Sequence, residues 1–207
     1  MDAVYWHRAA LITVLSVLNS LASRKAERRF GREIEKMVIE DPPLFIPDHW
    51  RTGTTLLHNL ISRDPRFAYP NLYEVLHSGS FLSNEDAEAG RWGARAIPAK
   101  RPMDNVALGL DMPQEDEFAL ALTCLRSPDL ALTFSRSGLR YLRYLTFEGV
   151  PAEELEEWKR TLLWFLKKLT LRHRRPLVLT SRPTARIRLL LELLPGASFR
   201  EHPPRAL

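Results

Sequence analysis

The sequence predicts an α/β fold, a parallel sheet flanked by helices and rich in helix. Three observations predict it. Two short runs, 44–46 and 176–180, are apolar almost throughout, as strands buried on both faces are. Helical patterns separate the runs, and strands alternating with helices argue for a parallel sheet with right-handed crossovers. Between 152 and 172, Leu155, Trp158, Leu162, Phe165 and Leu169 recur at spacings of three and four. That is the stripe of a helix seated on a core.

The elements follow in chain order. A first helix is expected from near residue 2 to near residue 40, with a break at Gly31, and Asp41-Pro42-Pro43 ends it. Within it, Leu11, Val14, Leu15, Leu18 and Leu21 recur at helical spacing. Ser16, Asn19 and Ser20 interrupt the apolar stretch 9–21, which falls short of the roughly 20 residues a membrane span needs. It also lacks the small-residue cleavage site of a signal peptide. The first reading is a helix packed on the domain. The alternative is peripheral membrane contact, aided by Arg24, Lys25, Arg28 and Arg29.

Residues 44–46 then read as a buried strand and 54–61 as a helix. From 64 to 112 the chain is punctuated by Pro65, Pro70, Gly79, Gly90, Gly93, Pro98 and Pro102. Short helices are expected there over 72–82 and 85–95, in an irregular region that reads either as the wall of a ligand pocket or as mobile surface loops. Residues 114–125 read as a helix entered after Pro113. For 152–172, Pro151 suits the first turn. Glu153, Glu154, Glu156 and Glu157 near its start, and Lys167, Lys168 and Arg172 near its end, complement the helix dipole. A strand over 176–180, a helix over 184–194 stopped by Pro195-Gly196, and a third strand beginning at 197–200 complete the chain. Two parts are expected: a helical segment, 1–40, and an α/β domain, 41–207.

Composition narrows the function. The 207 residues suffice for one domain with a core. Hydrophobic residues at 45% and charged residues at 27% are ordinary for a soluble globular chain. A net charge of +5 and a pI near 9.6 suit an anionic ligand, nucleic acid or a membrane surface. No basic run is interleaved with aromatics, so direct nucleic-acid binding is not expected. Cys124 is the only cysteine. That excludes a disulfide within the chain and points to a reducing, cytoplasmic setting. His49, His58, His77, His173 and His202 show no ligand spacing and no H-E-x-x-H motif, so no metal site is expected.

The turn between the first strand and its helix carries the chemistry. It reads Asp48-His49-Trp50-Arg51-Thr52-Gly53-Thr54-Thr55. Unpaired N–H groups at a helix start, with the helix dipole behind them, favour an anion. Gly53 lets backbone approach the ligand. Thr54 and Thr55 add hydroxyl donors, and Arg51 adds a planar cation. A plain N-cap and turn is the structural alternative, with Arg51 paired to Asp48. A Walker A loop would place lysine directly after Gly53. Thr54 stands there, and the cation has moved into the loop as Arg51. The strand–loop–helix is therefore of the P-loop type. The missing lysine argues against the alternative of a nucleotide-kinase-like phosphotransferase.

This loop resembles the 5′-phosphosulfate loop of the sulfotransferases. Residues 43–59, 63–77, 101–118 and 151–193 look like a bacterial branch of that family. The resemblance implies transfer of a sulfuryl group from 3′-phosphoadenosine-5′-phosphosulfate (PAPS) to an acceptor hydroxyl or amine. It implies Arg51, Thr52, Gly53, Thr54 and Thr55 around the donor. Arg51 would stabilise charge growing on the bridging oxygen. Ser181, in Thr180-Ser181-Arg182-Pro183, falls in a turn that is Lys-Ser-Pro-like in related sequences.

A carboxylate must take the acceptor's proton. The cluster Gln114-Glu115-Asp116-Glu117 offers Glu115 first and Glu117 second as that base, with dipole complementation at a helix start as the structural alternative. His77 is a further candidate. The acceptor would be a small molecule, a glycan or a lipid. Asp48 stands where the family usually has glycine. The chain reaches Leu207 before the family's 3′-phosphate arginine and serine. The resemblance therefore implies a C-terminally truncated, partly degenerate member, incomplete in its sheet, or a catalytically inactive fragment.

Overall fold

The apolar segment 44–46 becomes the middle of a small sheet. In the computed structural model, which describes residues 6–47, 53–83, 100, 108–181 and 184–200, three strands pair: β1 (Leu44–Phe45), β2 (Val178–Leu179) and β3 (Ser198–Phe199). Their order is β2-β1-β3 and every pairing is parallel. Leu44 faces Val178 on one side and Ser198 on the other. A further parallel bridge joins Ala68 to Leu177 beyond β2. Phe45, Ile46, Val178 and Leu179 are fully buried. This explains their continuous apolar character, because helices and loops cover both faces.

Eight α-helices are described: α1 (Trp6–Lys36), α2 (Thr54–Ile61), α3 (Leu72–Leu76), α4 (Asp116–Thr123), α5 (Leu130–Thr133), α6 (Gly138–Leu142), α7 (Ala152–His173) and α8 (Ile187–Leu193). The centre of the core is α7. Trp158, Leu162, Phe165, Leu166 and Leu169 are buried along one stripe, and each fully buried side chain of this size stabilises by about 1.5–3 kcal/mol. Lys168 was expected at the solvated helix end, yet it is buried too. Its ammonium donates to the Ser78 carbonyl and lies 4.7 Å from the Phe81 ring and 4.1 Å from the Trp164 ring. Burial pulls its pKa down to about 8.

Several expectations shift. Helix α1 runs unbroken through Gly31 and stops at Lys36. One internal glycine costs about 1 kcal/mol, too little to interrupt a helix held by packing on either side of it. The helix expected at 72–82 divides into α3 and a short 3-10 turn, Phe81–Ser83. The one expected at 184–194 opens as a 3-10 turn, Thr184–Arg186, before α8. The helix expected over 85–95 lies outside the described residues.

The largest difference is in α1. Its buried residues are Ala26 and Ile34, in its second half, where Phe30 also packs against the core. Lys167 donates to the Glu35 carbonyl. A Cβ on Gly79 would fall 2.8 Å from the Ser23 Cβ, so glycine there admits the helix. The first half, expected to pack on the domain, instead leaves Leu11, Val14, Leu15, Leu18 and Leu21 more than half exposed. No helix among the described residues is long and apolar enough to cross a membrane.

Candidate functional site

The site assembles where two neighbouring strands end. β1 and β2 are parallel, so the connections leaving them emerge on the same edge of the sheet. Ligands of open α/β sheets bind outside this carboxyl edge. The connection after β1 leads to Gly53 and α2. The connection after β2 carries Thr180 and Ser181.

Gly53 sits at the N-cap of α2 with φ 84 and ψ 12. That is left-handed backbone, which side chains with a Cβ adopt at a cost. No heavy atom lies within 4 Å of where its Cβ would be. Glycine is required here by the backbone, not by crowding, and the space beside it is open. Gly53, as the N-cap residue, has no side chain with which to cap α2. Its first internal bond runs from the Leu57 N–H to the Gly53 carbonyl at 3.1 Å. Amides of the first turn therefore have no partner within the helix. The Thr54 side chain is buried, and that of Thr55 is half-buried. Arg51 and Thr52, named for the cradle, lie outside the described residues, as do Asp48 and His49.

The second half of the site comes from α4. Residues 70–73 run beside 110–114: the Gln114 N–H donates to the Pro70 carbonyl at 2.8 Å and the Leu72 N–H to Met112 at 3.0 Å. Asn71 bridges Pro113. This pairing delivers the start of α4 to the sheet edge. α3 is itself fixed there by a capping box, in which Asn71 Oδ1 accepts from the Glu74 N–H and Glu74 Oε2 from the Asn71 N–H, both at 2.9 Å. Glu74 Oε1 also accepts from His173 Nε2, at 2.8 Å, and pairs with Arg172 Nε at 3.1 Å.

The acidic cluster divides by environment. Glu115 occupies the N-cap position and is half-buried. Asp116 is 1% exposed, and its Oδ2 accepts from Ser181 Oγ at 2.7 Å. Burial pushes its pKa up to about 7, opposed by the Ser181 hydrogen bond and assisted by the Glu117 charge. Its Oδ1 has no hydrogen-bond partner among the described residues. Glu117 is buried and bound to Arg186 Nη1 at 2.7 Å. The Arg186 guanidinium is buried in turn, donating from Nε to the Tyr144 carbonyl at 3.0 Å and lying over Phe147 and Trp158.

Ser181 and Asp116 are thus joined, a pairing that sequence reasoning missed when it ranked Glu115 and Glu117 ahead of Asp116. A signal was present. Asp116 lies three and four residues before Ala119 and Leu120, and Glu117 three and four before Leu120 and Ala121, all buried. Glu115 shares its side with Phe118 and Leu122, which are exposed. Helical periodicity alone turns Asp116 and Glu117 inward.

Two more polar atoms are buried along β2. Thr180 Oγ1 and His58 Nε2 lack a hydrogen-bond partner among the described residues. His58, on α2, lies edge-on to Tyr69 with ring centroids 6.4 Å apart. Desolvation draws its pKa down to about 4, partly offset by a hydrogen bond with the Val178 backbone. His77 lies against Tyr73, 4.8 Å between ring centroids, and burial lowers its pKa. No group of three His, Cys, Asp or Glu placed to hold a metal ion occurs among the described residues.

Comparison with known proteins gives this geometry a context. No protein-family model matches the chain. The omega-hydroxy-beta-dihydromenaquinone-9 sulfotransferases Stf3 of Mycobacterium bovis and Mycobacterium tuberculosis are each 42% identical to it over 200 residues, 94% of this chain and 50% of theirs. The chain therefore spans about half the length of the curated relatives it matches. The crystal structure of sulfotransferase STF9 from Mycobacterium avium superposes with a TM-score of 0.62 at 20% identity, covering 88% of this chain and 47% of that one. That of STF1 from Mycobacterium tuberculosis gives 0.52 at 18% identity, over 88% and 50%. At such identities the structures speak for the fold alone.

Proposed function

We infer that this chain, a member of the sulfotransferase family by sequence, performs the donor-binding and proton-transfer parts of sulfuryl transfer from PAPS to a hydroxyl. The observation that carries the reading is Gly53: left-handed, open-sided backbone at the start of α2, where the N-cap residue has no side chain, on the connection that follows a parallel strand. Such a helix start accepts a phosphosulfate oxyanion through backbone N–H groups. Gly53, Thr54 and Thr55 would hold the donor, with Arg51 and Thr52 completing the loop. PAPS, when bound, would supply the sulfuryl group, and adenosine 3′,5′-bisphosphate would leave as the bond from sulfur to the bridging oxygen breaks.

Arg51 would stabilise the charge that grows on the bridging oxygen, where a fixed cation acts more on the transition state than on the ground state. Asp116 is the carboxylate best suited to take the acceptor's proton. A base works best when its pKa lies near the working pH, and Asp116 titrates near 7. Oδ2 is held by Ser181, while Oδ1 has no partner among the described residues. The acceptor O–H bond breaks as oxygen bonds to sulfur, and the proton passes to this carboxylate. Glu115 remains the other candidate base. Glu117 is bound through Oε2 to Arg186, and its Oε1, like Asp116 Oδ1, has no partner among the described residues. Following the curated relatives, the acceptor is proposed to be a hydroxylated isoprenoid or quinone lipid.

Thermal melting with adenosine 3′,5′-bisphosphate tests the donor site. At about a hundred times its Kd a ligand adds ~2.7 kcal/mol, or about 5–10 °C for a chain of this size. Gly53→Val should remove that shift. Asp116→Asn should keep it while turnover of a hydroxylated quinone falls by about two to four orders of magnitude. No shift at millimolar nucleotide overturns the reading. A shift with ATP–Mg²⁺ alone would restore the phosphotransferase alternative.

A further inference from the structure

The first half of α1 carries an apolar surface that the domain does not cover. Leu11, Ile12, Val14, Leu15, Val17, Leu18 and Leu21 are 54 to 65% exposed. At 100° per residue, all but Ile12 fall with Ala10 and Ala22 in an arc of roughly 160°. The fifteen residues 9–23 hold no charge and extend about 22 Å. That is too short to span a bilayer core of about 30 Å.

The same side of the helix changes character further along. Lys25, Arg28, Arg29 and Arg32 continue the arc, all exposed. Ala26, Phe30 and Ile34, which pack on the domain, lie on the opposite side. One outward line therefore runs from apolar to basic along a single rigid helix. On the other side of the first half, Thr13, Ser20 and Ser23 each donate their hydroxyl to a carbonyl four residues earlier, at 2.8 Å. These hydroxyls are satisfied without water.

We propose that the outward face of α1 docks this chain in the plane of an anionic lipid surface, leucines and valines in the acyl boundary and Lys25, Arg28, Arg29 and Arg32 on the headgroups. The chemistry matches on both counts. Interfacial helices bury an apolar face and hold cations over anionic lipid. A second copy of this chain fits less well: an antiparallel pairing leaves the four cations of each copy without anionic partners, and a parallel one brings them together. The inference stands apart from the nucleotide site: vesicle binding reads α1, and the nucleotide melt reads Gly53.

Co-sedimentation of the 207-residue chain with phosphatidylcholine vesicles, with and without phosphatidylglycerol, tests it. Binding should be at least about tenfold tighter on the anionic vesicles and should weaken as salt rises. The triple variant Leu11→Asp, Leu15→Asp, Leu18→Asp should stay in the supernatant. The charge variant Lys25→Glu, Arg28→Glu should lose the preference for anionic vesicles. Both should melt within a few degrees of the parent, because neither touches the core. Three results overturn the proposal: no binding to anionic vesicles, equal binding to neutral ones, or undiminished binding by the triple variant. A dimer in light scattering that the triple variant dissolves, without vesicle binding, would assign the face to a second copy instead.

Discussion

Helices α7 and α1 are the longest described helices of the molecule, and both show apolar residues at helical spacing. They end up in opposite surroundings. Of the 22 residues of α7, six are buried; of the 31 of α1, two are, and neither lies in its apolar first half. The lesson is that periodicity identifies a face that wants cover without saying what covers it. Charge placement carries the missing information. In α7 the positions outside the buried stripe are rich in glutamate, lysine and arginine, with Glu153, Glu156 and Arg160 exposed, so only one side is apolar. In residues 9–23 of α1 the side away from the apolar arc holds threonine, serine and asparagine beside Ile12, and Lys25, Arg28, Arg29 and Arg32 follow on the apolar side.

The largest test of this contrast is truncation of one large side chain on each helix. Trp158→Ala should cost about 3–5 kcal/mol and lower the melting temperature sharply. Leu18→Ala on α1 should change stability by less than about 0.5 kcal/mol. Comparable losses would mean that α1 is seated on the domain after all.

Charge burial sharpens the same contrast. The basic residues of α1 face solvent, whereas the neighbourhood of α7 encloses Lys168, Arg186, Asp116 and Glu117. Glu117→Gln strands the Arg186 guanidinium and should cost about 3–5 kcal/mol in urea unfolding. Replacing both partners by apolar residues, Arg186→Met with Glu117→Leu, should recover most of it. If the single variant unfolds like the parent, the ion pair is not what joins α4 to the start of α8.

The most gradual effect is in pH dependence. Asp116 has a folded pKa near 7 against 3.8 when unfolded. Its contribution is full below 3.8 and is lost as pH rises toward 7. His58 has a folded value near 4 against 6.5. Its contribution is full above 6.5 and is lost as pH falls toward 4. The two oppose each other across that window. Relative to the parent, stability should rise with pH in Asp116→Asn and fall with pH in His58→Gln, each by about 1.4 kcal/mol per pH unit. Urea titrations across the window measure both slopes, and parallel curves for all three proteins would refute the buried titrations. Variants on the outer face of α1 should leave the slope unchanged.

Much of the fold was legible. The helix expected over 54–61 coincides with α2, and the one over 152–172 differs from α7 by one residue. Such helices carry long stripes or a clear glycine start, which are local signals. The strands were legible as apolar runs, although only two residues of each pair. The carboxylates were less legible, because three acidic residues in a row look alike until α4 is turned against the core. The loop cation and the cradle threonine before Gly53 rest on sequence.

By itself the sequence determined the longest helices and the two apolar strands, the glycine that must open α2, and the resemblance from which the reaction is proposed. These are local: spacing, turn chemistry and order along the chain settle them. Only tertiary structure decided that Asp116 meets Ser181, that Arg186 closes over Glu117, and that half of α1 is left uncovered. Those outcomes join residues dozens of positions apart, and no short-range pattern encodes which distant element arrives at a given face.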